Sequence, residues 1–119
     1  MFIGIDLGTS SVKMILVDHE QNILATSDSP LTVQNPKDGY SEQNPEEWIN
    51  ATLECLKSLK TKKPKEFTEI ISIGISGHMH GATLIDNSGD VIRPCILWND
   101  TRSHKECEEF ENQRIDVRS

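Results

Sequence analysis

The sequence predicts an α/β domain whose mixed sheet opens with an antiparallel three-strand meander. Three observations carry that reading. Three β-rich runs follow one another from the N-terminus across short polar turns, and connections that short cannot cross over between parallel strands. A capped amphipathic helix follows, bounded by Asn44 and Pro64. A run that is apolar on both faces, Glu69 to Ser76, then supplies a further strand of the type buried at the centre of a sheet. A dinucleotide-binding doubly wound fold is excluded, because the first connection is a hairpin and not a crossover helix.

The elements follow in order. Phe2 to Leu7 is a short apolar strand that ends at Gly8. Ser11 to Asp18 is the second strand and Asn22 to Leu31 the third, entered through His19-Glu20-Gln21-Asn22. Residues 34–44 hold turn formers and read as a loop. Asn44 then takes the N-cap, with Pro45 at the first helical position and Glu47 at the third, a variant of the capping box. Trp48, Ala51, Thr52, Cys55, Leu56 and Leu59 recur at helical spacing and predict one buried face. Lys60, Lys62 and Lys63 fall where cations suit the helix dipole. After the strand at 69–76 come Gly77-His78-Met79-His80-Gly81 and a hairpin of Ala82 to Ile85 with Val91 to Arg93, turned by Asp86-Asn87-Ser88-Gly89-Asp90. Ile96 to Trp98 predicts a last strand, and Ser103 to Gln113 a last helix. Arg114 to Ser119 carries no recognisable terminator.

Composition narrows the function classes. The 119 residues carry 12 Lys and Arg against 19 Asp and Glu, a net charge of −7. An acidic chain without a basic stripe is not built for nucleic acid or an anionic membrane. Leu, Ile, Val and Phe make up about a quarter of the residues, above the roughly one fifth below which chains stay disordered. No apolar run approaches the roughly 20 residues of a membrane span. The N-terminus meets Asp6 too early for a signal peptide. Three widely spaced cysteines, Cys55, Cys95 and Cys107, form neither a zinc ribbon nor a disulfide framework and read as reduced thiols of a cytoplasmic protein.

Three motifs carry chemistry. In Asp6-Leu7-Gly8-Thr9-Ser10-Ser11-Val12-Lys13 a carboxylate ends a strand and a glycine–hydroxyl turn follows. Gly8 lets a backbone approach a ligand closely, and successive amide N–H groups in such a turn can cradle a phosphate. Thr9, Ser10 and Ser11 add hydroxyl donors and Lys13 a point charge. Asp6 would face a Mg²⁺ carried by a nucleotide, through water, because Mg²⁺ keeps most of its hydration shell. The same residues would also make an ordinary hairpin turn with a surface aspartate. The second motif, Gly77 to Gly81, places polar groups at the end of a strand, where open α/β sheets take ligands. His78 and His80 share a face of an extended chain, the spacing of a possible metal pair, but no third ligand is evident. Around Trp98-Asn99-Asp100-x-Arg102, Trp98 offers an apolar wall with one N–H donor. Asp100 is either a substrate acceptor or a structural one that caps the next helix and pairs with Arg102.

Asp6-x-Gly8-Thr9-Ser10 resembles the first phosphate loop of the superfamily that unites sugar kinases, heat-shock proteins and actin. Tyr40-Ser41-Glu42-Gln43-Asn44-Pro45-Glu46-Glu47-Trp48, Gly77 to Leu84 and Leu97-Trp98-Asn99-Asp100-x-Arg102 are similar to the FGGY carbohydrate kinases. Met79-His80-Gly81 followed by Trp98-Asn99-Asp100 is most similar to the branch acting on xylulose. Glycerol kinases resemble Arg-Glu where this chain has Met79-His80, and the family usually carries a neutral amide at His78. The resemblance runs to about residue 107. It implies an actin-like, ribonuclease H-like ATPase domain, incomplete in this chain, with ATP and Mg²⁺ as cofactors and a small sugar as partner. Met79 and His80 would line the sugar site, His80 bonding a hydroxyl, with Trp98 and Asp100 beside it. The expected reaction is phosphorylation of D-xylulose. Another sugar or polyol kinase of the family, or a non-catalytic nucleotide-binding module of the same fold, are the alternatives. The family's general base, an aspartate in a later Gly-Asp-Asn-like segment, has no match here. The expectation is therefore the first part of a longer kinase, inactive by itself and prone to self-association through exposed sheet edges.

Overall fold

A computed structural model describes residues 1–113; the tail from Arg114 lies outside them. The first three strands are β1 (Phe2–Leu7), β2 (Ser11–Val17) and β3 (Ile23–Pro30), followed by the two-residue β4 (Glu42–Gln43). Helix α1 (Pro45–Lys62) and the single turn α2 (Pro64–Phe67) lead to β5 (Ser72–Gly77), β6 (Cys95–Ile96) and α3 (His104–Asn112). The main sheet has the order β3-β2-β1-β5. β1 pairs antiparallel with β2 and β2 with β3, while β5 joins β1 in parallel, in register from Phe2 opposite Ser72 to Leu7 opposite Gly77. The sheet is mixed and begins with the meander expected from its short turns.

Alternation decides which face is covered. Ile3, Ile5 and Leu7 of β1 share a face with Val12, Met14 and Leu16 of β2, their register partners. Helix α1 lies on this face. Its Ala51, Cys55 and Leu59 complete a buried cluster with Ile3, Val12, Met14 and Leu16. Asn44 is the N-cap, as expected, but its Oδ1 accepts the Glu46 N–H at 3.1 Å and not the Glu47 N–H that the capping box predicts. At the other end the Lys62 ammonium donates to the Thr26 carbonyl of the edge strand β3 at 2.6 Å. The β2–β3 turn is closed by Asp18, whose carboxylate accepts the N–H groups of Glu20 and Asn22 and is held below its usual range by the Asn22 bonds first.

Four expectations need correction. The apolar run predicted as a central buried strand is β5 at the sheet edge, and every one of its residues is exposed. Ile73 and Ile75 lie on the same face as Ile3 and Ile5, beyond the reach of α1, which packs on β2 and β3. The loop predicted over 34–44 contains β4, which pairs with β6 in a second small sheet. The predicted 82–93 hairpin has no paired strands, only an isolated bridge between Ile85 and Val91 closed by the Asp86 carboxylate on the Ser88 and Asp90 N–H groups. Trp48, assigned to the core stripe, sits outside the core cluster and half-buried, because its indole is engaged by Gln43 and His78.

Candidate functional site

Parallel pairing brings the ends of β1 and β5 together. Leu7 stands beside Gly77, so the loops that follow the two strands diverge from one point. Between them lies a cleft of about 420 Å³. Asp6, Gly8 and Thr9 line it from the β1 side, His78, Met79 and His80 from the β5 side, and Trp98 from across. Residues from all three motifs thus face one space, although more than 60 positions separate the first from the second.

The β1–β2 loop is held by hydrogen bonds at its turn. The Gly8 N–H donates to the Ser11 carbonyl at 3.0 Å, and the Leu31 N–H donates to the Ser10 carbonyl at 2.8 Å. A Cβ on Gly8 would stand 3.1 Å from the Ser11 carbonyl oxygen, tighter than ordinary contact. The β5 loop is held differently. His80 has φ of 59°, a left-handed conformation that a non-glycine residue adopts at a cost. Met79 is 73% exposed and Trp98 64% exposed, both large apolar groups at the mouth of the cleft. The His78 ring lies 5.2 Å from the Trp48 ring, and its buried Nε2 has no hydrogen-bond partner.

Ser10, Ser11, Lys13 and Asp100 lie outside the cleft lining. Ser10 and Ser11 belong to the same loop, and Lys13 stands opposite Asp6 in the β1–β2 register. Asp100 is engaged elsewhere. Its carboxylate accepts the Ser41 N–H at 2.7 Å, the Arg102 N–H at 2.9 Å and the Arg102 guanidinium at 2.6 and 2.9 Å. Arg102, foremost among these partners, holds the Asp100 carboxyl far below the usual carboxylate range. The structural alternative for Asp100 therefore describes its bonds, except that the last helix is capped by Ser103 without a side-chain bond.

Reading the sequence missed the apparatus behind this turn. Glu42 is buried, accepts from Arg93 and, at 2.7 Å, from Arg102, and its carboxyl is pulled down by Arg102 first. The Arg102 guanidinium also lies 3.8 Å over the Tyr40 ring. Gln43 is fully buried. Its Nε2 donates to the Thr9 carbonyl at 2.9 Å, and its Oε1 accepts the Trp48 indole N–H at 2.7 Å. A buried Glu-Gln pair within a polar loop was the available signal, since such residues go inside only when paired.

The whole chain, residues 1–119, matches the N-terminal domain of the FGGY family of carbohydrate kinases. The chain belongs to that family. It is 45% identical over 113 residues to the xylulose kinase of Klebsiella pneumoniae, covering 95% of this chain and 23% of that protein. It is 46% identical over 107 residues to the xylulose kinase of Escherichia coli, covering 90% and 22%. Among solved structures, a xyloylose kinase from Brucella ovis superposes with a TM-score of 0.90 at 48% identity, over 94% of this chain and 24% of that one. The chain thus spans about a quarter of the length of these FGGY relatives. The FGGY likeness agrees with a mixed α/β sheet of mostly antiparallel strands, as in an incomplete actin-like ATPase domain.

Proposed function

We propose that this chain is the first part of an ATP-dependent kinase of ketopentoses, with D-xylulose as acceptor, and that the cleft holds the terminal phosphates of ATP beside the sugar. One observation carries the reading: the glycine–hydroxyl loop and the Met79-His80 loop line the same cleft. Its relatives named as xylulose kinases support the choice of sugar. Gly8, Thr9, Ser10 and Ser11 cradle the phosphates, with Lys13 adding charge from the neighbouring strand. Met79 and Trp98 form the apolar walls of the sugar site, and His80 bonds a hydroxyl. Asp100 acts from behind, fixing the turn that carries Trp98.

Mg²⁺ fits the donor set. Asp6 and the loop hydroxyls are hard oxygen ligands of the type it takes. Among the described residues no group of three or more His, Cys, Asp or Glu could hold a metal ion; the ion proposed here would arrive with the nucleotide and keep its water. Such an ion neutralises charge on the phosphates. Asp6 holds and orients it; Asp6 is not the base.

Transfer also needs a group to take the proton of the attacking hydroxyl. Asp6 is the one carboxylate lining the cleft among the described residues, and it belongs to the phosphate loop. The family resemblance puts the base in a later Gly-Asp-Asn-like segment that the described residues do not contain, and the 119-residue chain alone is expected to be inactive. Alone it also self-associates, through the open edge of β5 and the exposed Ile71, Ile73 and Ile75. No described helix is long and apolar enough to cross a membrane. The free thiols of Cys55, Cys95 and Cys107 support the cytoplasm as the site of action.

The test is ADP release by the full-length protein with Mg²⁺-ATP and D-xylulose, D-ribulose, L-ribulose, gluconate or glycerol. Turnover with D-xylulose above the others is expected. Turnover with none would leave a nucleotide-binding module, and turnover by the 119-residue chain would overturn the assignment of the base.

A further inference from the structure

Three successive carbonyls of the β1–β2 turn, those of Thr9, Ser10 and Ser11, are each taken by a donor of the protein. Gln43 Nε2 takes the Thr9 carbonyl, Leu31 N–H the Ser10 carbonyl and Gly8 N–H the Ser11 carbonyl. In a trans peptide the C=O and the following N–H point opposite ways, and the described chain has no cis bond. Taking the carbonyls this way therefore turns the Ser10 and Ser11 N–H groups away from the groups that hold them. Out-facing N–H groups are what an anion cradle requires, and an out-facing carbonyl would repel the anion. Two of the carbonyl bonds are backbone bonds that any sequence could make. The third depends on one side chain.

That side chain is oriented from a distance. An amide can present either its oxygen or its nitrogen to Thr9. The Trp48 indole N–H donates to Gln43 Oε1, so the nitrogen is left for Thr9. Trp48 in turn packs on His78 of the opposite loop. We infer that Gln43 is a positioning residue that sets the phosphate loop for its nucleotide, by clamping the Thr9–Ser10 peptide with its N–H outward, and that Trp48 sets Gln43. This inference rests on the kinase reading above and adds to it a residue that touches neither ligand.

The test is calorimetric titration of the full-length protein with Mg²⁺-ADP, and separately with D-xylulose. Gln43→Glu keeps an acceptor for Trp48 and turns a second acceptor on Thr9. It is expected to weaken ADP binding about tenfold, the size of one charge-sensitive hydrogen bond, with D-xylulose binding unchanged. The KM for ATP rises in parallel. A merely structural role would lower the melting temperature and spare the ratio of the two affinities. Trp48→Phe keeps the ring on His78 and removes the N–H. It is expected to weaken ADP binding by a smaller factor, again with D-xylulose binding unchanged. It decides the matter if Gln43→Glu does not fold. Folded variants that bind ADP as tightly as the parent overturn the inference alone, whereas a parent that binds no ADP overturns the kinase reading with it.

Discussion

The two sides of the main sheet are built on opposite terms. On the β2 side, α1 closes over Val12, Met14 and Leu16, and the core there is buried. On the β5 side, equally apolar residues stand in the open, Ile75 at 75% and Ile71 at 71% exposure. The cleft lies where the two sides meet, with one wall from each strand end. The lesson is that burial under α1 ends at β1, and the two loops that line the cleft start on either side of that limit. The Gly8–Ser11 loop is anchored in the covered side, through Gln43 and Trp48 of α1. The Met79–His80 loop follows the exposed strand β5 and keeps a left-handed His80.

That contrast can be broken by substitution, and the largest effect belongs to the closed side. Leu59 is fully buried, so Leu59→Ala should cost about 3 kcal/mol of unfolding free energy in a denaturant titration of the chain. Asp6 is exposed on the cleft. Asp6→Asn should lower kcat of the full-length protein about 100-fold while leaving its melting temperature unchanged. His80→Gly should raise the KM for D-xylulose about tenfold with little change in kcat, as for the loss of one ground-state hydrogen bond. Glycine is the right replacement because alanine would keep the strain of φ 59°. Ile75→Ser should change the stability of the 119-residue chain by less than about 0.5 kcal/mol, and it should reduce self-association measured by light scattering.

The small sheet behind the cleft adds a pH test. Arg102 depresses the carboxyls of both Asp100 and Glu42. Their unfolded values lie near about 4, so the unfolded chain binds more protons at acid pH. The stability they supply is full above the unfolded value and is lost as pH falls below it. Melting temperatures recorded down the acid limb should fall steeply in the parent and more gently in Asp100→Asn. Equal slopes would remove the Arg102 cluster from the account.

Local pattern made most of the fold legible. The meander followed from turn length, and α1 from its cap and stripe, because both depend on neighbours in sequence. β5 was misplaced because its composition shows that Ile73 and Ile75 suit burial, and not what covers them. β4 was missed because Glu42 and Gln43 are polar and go inside through partners far away, Arg93, Arg102 and Thr9. Trp48 was misassigned for the same reason, since its hydrogen bond to Gln43 and its contact with His78 lie off the helix. The cleft residues were legible as motifs. Their meeting in one space needed the parallel pairing of β1 with β5, and the pinning of Asp100 by Ser41 and Arg102 could not be read from spacing.

The central claim is that the two loops serve one site. The most direct measurement places Mn²⁺-ADP on the full-length protein and follows the ¹³C-methyl resonance of Met79. A metal nucleotide held at Asp6, Gly8 and Thr9 should broaden that resonance, and Asp6→Asn should restore it. A Met79 methyl that stays sharp while Mn²⁺-ADP is bound would put the nucleotide elsewhere and contradict the account.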